Sequence, residues 1–179
     1  MSFNRKKKFF GKYRGVVFNN IDPEFKGRIQ ATVSDLLGYI PTTWALPCVP
    51  ITGMTGAQSG IYVVPAINAS VWIEFERGDL DYPIWSGCFW GSQAEIPLAA
   101  QMGAPPTPNI VLQTIGQNCI VMGGTIAQGI ILSAGPPIPG SSPSIVISPA
   151  GIMITDGKGG LITIAGGVVQ INQGALVIK

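Results

Sequence analysis

The sequence predicts an all-β protein in two parts: a small closed barrel over residues 10–92, then a stack of short strands over residues 110–179. Three observations carry this reading. Glycine (24) and proline (15) interrupt the 179-residue chain every few positions, which leaves no room for long helices. Apolar and polar residues alternate over short runs, the period of a half-buried strand. From residue 110 onward the runs shorten to apolar pairs at i and i+2 that return at a nearly fixed interval. A fixed period of short strands with glycine turns is the pattern of a β-solenoid.

Barrel strands are expected at Lys12–Phe18, Arg28–Ser34, Ala45–Val49, Ile61–Val64, Ser70–Phe75 and Pro83–Trp90. In the second, Ile29, Ala31 and Val33 share one face; in the fifth, Val71, Ile73 and Phe75 do. Asn19-Asn20, Asp22-Pro23 and Arg77-Gly78-Asp79 supply turn chemistry between them. Five or six short strands closed on themselves predict an OB-type barrel. Ahead of the barrel, residues 1–9 read as a basic arm. After it, residues 93–109 read as a linker, because Pro97 and the run Gly103-Ala104-Pro105-Pro106-Thr107-Pro108 fix extended backbone and offer little to pack.

The second part is a repeat. Its pairs are Ile110/Leu112, Ile120/Met122, Ile130/Leu132, Ile145/Ile147, Ile152/Ile154, Ile162/Ile164, Val169/Ile171 and Leu176/Ile178. The last five begin 7, 10, 7 and 7 residues apart. The longer interval holds Asp156-Gly157-Lys158-Gly159-Gly160, a turn insertion. Each strand offers only two inward side chains, so one chain leaves them uncovered. Three intertwined chains, each giving one strand per layer, would bury them about a threefold axis. The expected trimer core is Ile145, Ile147, Ile152, Ile154, Ile162, Ile164, Val169, Ile171, Leu176 and Ile178. Composition agrees with such burial. Charged residues make up 11% of the chain and apolar ones 46%, whereas about 25% charged is usual for a soluble domain. The trimer should therefore be obligate.

Several function classes are disfavoured. No run approaches the roughly 20 apolar residues of a spanning helix, and the strand runs are too short for an outer-membrane barrel, so stable membrane anchoring is not expected. Arg5 to Lys8 are followed by Phe9-Phe10 alone before Gly11, which is no signal peptide. Cys48, Cys88 and Cys119 have no metal-ligand spacing and read as small core hydrophobes. With no histidine, a hydrolytic triad has no base. Asp79 and Asp81 read as turn residues, and Glu74 and Glu76 as the wet face of a strand. No cofactor or metal is expected, and the chain reads as a non-enzyme. A single-stranded nucleic-acid-binding barrel is the rival reading, with Trp72, Trp85 and Trp90 as stacking platforms. It lacks interleaved basic residues beyond Arg77, so no nucleic acid partner is expected. Eight of the eleven Lys and Arg lie within residues 1–28, and Arg5, Lys6, Lys7, Lys8 and Lys12 form a candidate docking arm.

A set of ordered segments carries a family resemblance. These are Gly15-Val16-Val17, Gly27-Arg28-Ile29-Gln30-Ala31, Trp44-Ala45-Leu46-Pro47 and Gly60-Ile61-Tyr62-Val63-Val64-Pro65. The most specific runs from Val71-Trp72-Ile73-Glu74-Phe75 through Gly78-Asp79 and Asp81-Tyr82-Pro83 to Gly87. Over about residues 10–91 the chain resembles the OB-fold domain of phage baseplate assembly protein V and the central spikes of contractile injection systems, type VI secretion spikes included. The second part is similar to the trimeric β-helical needle of that family by design rather than by exact repeat. The resemblance implies a structural spike of a phage tail baseplate or injection particle that pierces the target envelope mechanically. It implies a tail hub protein on the N-terminal side, docked by the basic arm. It implies a separate tip protein like the proline-alanine-alanine-arginine (PAAR) repeat tips, seated on a platform of Leu176, Ile178 and Lys179. A lysozyme insertion is absent, and without histidine the iron site of some short spikes cannot form.

Overall fold

The computed structural model describes residues 7–103, 105–138 and 140–178. In chain order its elements are β1 (Tyr13–Asn19), β2 (Gln30–Thr32), α1 (Ser34–Leu37), β3 (Leu46–Pro47), β4 (Thr52–Met54), β5 (Ala57–Gly60), β6 (Ser70–Phe75), β7 (Pro83–Cys88), α2 (Leu98–Gln101), β8 (Ile110–Gln113), β9 (Cys119–Met122), β10 (Ile130–Ser133), β11 (Ser144–Ser148), β12 (Gly151–Thr155), β13 (Leu161–Ala165), β14 (Val168–Ile171) and β15 (Leu176–Ile178). The protein is all-β apart from single helical turns. It divides into two units, Met1–Gly91 and Ser92–Lys179.

The first unit is an OB-like barrel. Its sheet has the order β2-β1-β6-β7-β3. The two ends of that order meet, because the segment leading into β3 also bonds to β2. Ile29 and Ala45 exchange both main-chain bonds, at 3.2 and 2.7 Å, and the Thr42 N–H donates to the Ala31 carbonyl at 2.8 Å. The buried Thr42 hydroxyl accepts the Ala31 N–H in return. Closure in this way leaves the alternating apolar faces inside. Ile29, Ala31 and Val33 from one run and Val71, Ile73 and Phe75 from another meet Val17, Ala45 and Trp85 in one core. Trp85 donates its indole N–H to the Gly27 carbonyl at 3.0 Å, so a large ring enters the core with its polar atom satisfied.

One carboxylate organises the loop between β1 and β2. Asp22 accepts the N–H groups of Glu24, Lys26 and Arg28 and two bonds from the Arg28 guanidinium, the shorter at 2.6 Å. Arg28 also reaches Glu24 at 2.9 Å. The Arg28 guanidinium first, then the three backbone N–H groups, holds the Asp22 carboxyl well below the usual carboxylate range.

Three expectations for this unit are corrected. Ile61–Val64 is not a strand; a hairpin of β4 and β5 precedes it. The hairpin turns at Thr55-Gly56, where Gly56 takes φ +84°. Its small and polar residues show no alternation to read, while Ile61–Val64 does. Cys48 and Cys88 are exposed, and only Cys119 is buried; the first two lie at strand ends, where the pleat no longer points them inward. The basic segment is not a free arm over its described part. The Phe9 N–H donates to the Gly78 carbonyl, and Phe9 packs against the core.

In the second unit, β8 to β15 form one eight-stranded sheet in sequential order. Every pairing is antiparallel and none slips in register. At about 4.8 Å per strand the ladder extends over roughly 34 Å. Here too the structure departs from expectation. Main-chain bonds join neighbouring strands of the same chain, so the ladder is satisfied internally instead of between intertwined chains. The stretch 93–109 also packs. Ala99 of α2 is buried against Cys119 and Val121. Asn109 donates to the Ala99 carbonyl at 2.8 Å and accepts the Gly124 N–H at 3.0 Å. Proline content misled here because side chains outside the proline run do the packing.

Two outcomes are expected. Ile73→Ala empties a fully buried site and should cost about 2–5 kcal/mol in denaturant unfolding. Asp22 gives stability that is fully present above its unfolded pKa of about 3.9 and is lost as pH falls toward its depressed folded value. Asp22→Asn should therefore flatten the fall of melting temperature between about pH 4 and pH 2; an unchanged acid slope would show that the loop does not depend on this carboxylate.

Candidate assembly face

Register places the eight apolar pairs in two columns on one face of the second sheet. One column runs Ile110, Met122, Ile130, Ile147, Ile152, Ile164, Val169, Ile178; the other runs Leu112, Ile120, Leu132, Ile145, Ile154, Ile162, Ile171, Leu176. Residues facing one another across a strand pair are neighbours on that face, so each column is a continuous row of aliphatic side chains. Glycine turns keep the spacing. Gly129 (φ +67°) and Gly151 (φ +130°) lie against the carbonyls of Ile147 and Ile164, where a Cβ would collide.

The two faces of this sheet differ. The opposite face starts apolar with Val111, Val121 and Ile131, and there Ala99 covers it. Val146 and Met153 continue that row, and it turns polar only at Thr163 and Gln170. The aliphatic face is exposed along most of its length, with Ile110 at 60%, Ile154 at 40% and Leu176 at 52%, while Val169 and Ile171 of β14 are half-buried. A contiguous apolar surface of this extent marks an interaction site.

The chain matches two family descriptions. Residues 13–90 match the type VI secretion system and phage-baseplate injector OB domain. Residues 109–177 match the phage baseplate V C-terminal trimerisation domain. The chain belongs to the baseplate assembly protein V-like family. Its role is structural, in a baseplate or injection-system spike, and it is tail-associated. The C-terminal match makes it a homotrimer. A search of curated protein sequences returned no match.

Other residues singled out in the sequence find ordinary structural places in this family member. Lys8 pairs with Asp79 at 3.5 Å, and Lys12 pairs with Glu74 at 3.0 Å while donating to the Ser86 hydroxyl at 2.8 Å. Lys7 stands over the Phe9 ring at 5.2 Å. Arg5, Lys6 and Lys179 lie outside the described residues, and Ile178 is placed by register alone. Asp79 accepts the Asp81 N–H at 3.3 Å beside Gly78, a turn arrangement. Trp85 is buried, and Trp72 packs tilted against Phe89, ring centres 4.7 Å apart, beneath Arg14. Trp90 is exposed. The buried Cys119 thiol is pushed up by desolvation, which keeps it an unreactive packing group. No group of three or more His, Cys, Asp or Glu side chains that could hold a metal is present among the described residues. The Asp22 network had only the Asp22-Pro23 turn as a signal, because three of its donors are backbone N–H groups and the Arg28 guanidinium pairs with it only once the loop is folded.

In light scattering the purified protein should have a mass of about three times 18.8 kDa. A well-folded monomer at micromolar concentration would contradict the assignment.

Proposed function

We propose that three copies turn the two-column face inward and form the needle of a central spike, a three-walled β-helical shaft with Ile145, Ile147, Ile152, Ile154, Ile162, Ile164, Val169, Ile171, Leu176 and Ile178 in its core. The single observation that carries this is the unbroken pair of aliphatic columns on a bare sheet face. In this reading the N-terminal unit meets the hub, and sheath contraction drives the needle through the target envelope. Mechanical piercing asks for stiffness. The intrachain ladder supplies it along the axis, and a dry core joins the three walls. The ladder's reach of roughly 34 Å is similar to the roughly 30 Å hydrocarbon core of a bilayer. Beyond Glu95 the described residues hold only Asp156 and Lys158 as charges, so little charge has to cross.

The same reading assigns the partners. The tail hub protein meets the N-terminal side through the basic segment Arg5, Lys6, Lys7, Lys8 and Lys12, of which Lys8 and Lys12 would have to exchange their present ion pairs for hub contacts. A PAAR-like tip protein covers the β15 edge, where Leu176 is half exposed and a strand edge needs a cover.

Parity makes the core testable. Ile171 and Gln170 are adjacent on β14 but on opposite faces. Ile171→Asp would gather three carboxylates in a dry core and should abolish the trimer. Gln170→Asp should change stability by no more than about 0.5 kcal/mol. Equal assembly and melting of both variants would place the wrong face inside. For piercing itself, particles carrying Ile171→Asp should assemble no functional spike and lose delivery into target cells, while Gln170→Asp particles keep it.

A further inference from the structure

The β4–β5 hairpin is a two-stranded sheet of its own, separate from the barrel sheet. Every one of its strand residues is exposed. An isolated two-stranded hairpin is marginal in water, and nothing charged keeps this one solvated, since no Asp, Glu, Lys or Arg occurs between Asp35 and Glu74. Within that neutral stretch Tyr39, Ile40, Met54, Tyr62 and Val63 are each about two-thirds exposed or more, Met54 at 76%. Such a surface is built to be covered.

At the root of the hairpin lies a largely apolar cavity of about 390 Å³, walled by Pro47, Val49, Ile51, Tyr62, Val64 and Trp85, with Lys26 and Gln58 also on its wall. The hairpin's own strands form part of its wall, so the hairpin cannot fold into it. The tip, Met54 with its Thr55-Gly56 turn, stands outside that lining. One chain therefore carries a knob headed by an exposed methionine and a largely apolar hole at different places. A threefold ring needs this kind of head-to-tail contact, in which one patch of each copy meets a different patch of the next. Methionine suits the knob, because an unbranched side chain fills irregular apolar space. Trimerisation through the second unit raises the effective concentration of the three barrels for one another.

We propose that the β4–β5 hairpin of each copy docks its tip, led by Met54, into the apolar groove at the hairpin root of the neighbouring copy, linking the three barrels into a ring. The proposal rests on the homotrimer, and its test separates the two. Cys48 is exposed and sits beside the groove, between the lining residues Pro47 and Val49 without lining it itself, so a thiol-reactive linker of short reach reports from the rim of the hole. In the full chain with Cys88→Ser, Thr55→Cys adds a reporter on the knob at an exposed position that keeps Met54 and leaves the barrel core untouched. A short bismaleimide should then convert the protein to a covalent trimer on a denaturing gel. The same protein with Cys48→Ser, or with Thr55 retained, should stay monomeric on that gel. Only intrachain-linked monomer, or no link at all in a sample that light scattering shows to be trimeric, overturns the docking and leaves the groove to another protein. A sample that is monomeric in light scattering overturns the trimer, and the docking with it.

Discussion

The second unit depends on one constraint: the antiparallel register passes through seven turns without slipping. In a strand the side chains alternate, so a slip of one residue would carry every apolar pair to the opposite face. The turns differ in length, and the loop Asp156–Gly160 is the longest interruption between the later strands. It keeps register because the Asp156 carboxylate accepts the N–H groups of Lys158 at 2.8 Å and Gly160 at 2.9 Å. That local closure returns β13 in phase with β12, with Ile162 opposite Ile154. The bare aliphatic face is the sum of these turn geometries.

From that register follows a division of labour between main chain and side chains. The main-chain bonds within the sheet are made inside each chain, so the strands need no neighbour copy to satisfy their N–H and C=O groups. What is left over is apolar surface on one side. Association in a trimerisation domain of this form is thus a hydrophobic event, proportional to the apolar area covered. The scarcity of charge in the same region removes the electrostatic repulsion that would otherwise oppose bringing three such faces together.

The barrel obeys a different logic. Its closure depends on the segment before β3 bonding to β2 at one edge of the sheet while β3 bonds to β7 at the other. The loop between β1 and β2 has to turn tightly to allow this. Asp22 gathers three backbone N–H groups and a guanidinium to hold that turn, in place of the hydrophobic packing available elsewhere. Charge in this unit is concentrated at such joints and at the Lys8 and Lys12 ion pairs, and it is missing from the whole stretch between Asp35 and Glu74.

The sequence by itself determined the all-β class, the inward residues of β2 and β6, and all eight apolar pairs, because period-two alternation is a local property that survives any tertiary arrangement. It also carried enough segment identity to show the family. Only the tertiary structure decided which strands pair. The Ile61–Val64 run alternates as a strand should, yet the ladder goes to the featureless residues before it, because hairpin formation is set by the Thr55-Gly56 turn and not by hydrophobicity. The stretch before residue 109 looked unpackable, yet Ala99 and Asn109 dock on the sheet through contacts that no local pattern encodes. Most of all, pairs at i and i+2 are equally compatible with strands shared among chains or stacked within one. Periodicity fixes which face a residue takes within its own strand; the choice of hydrogen-bonding neighbour is made by turn geometry and loop reach, which only the folded chain displays.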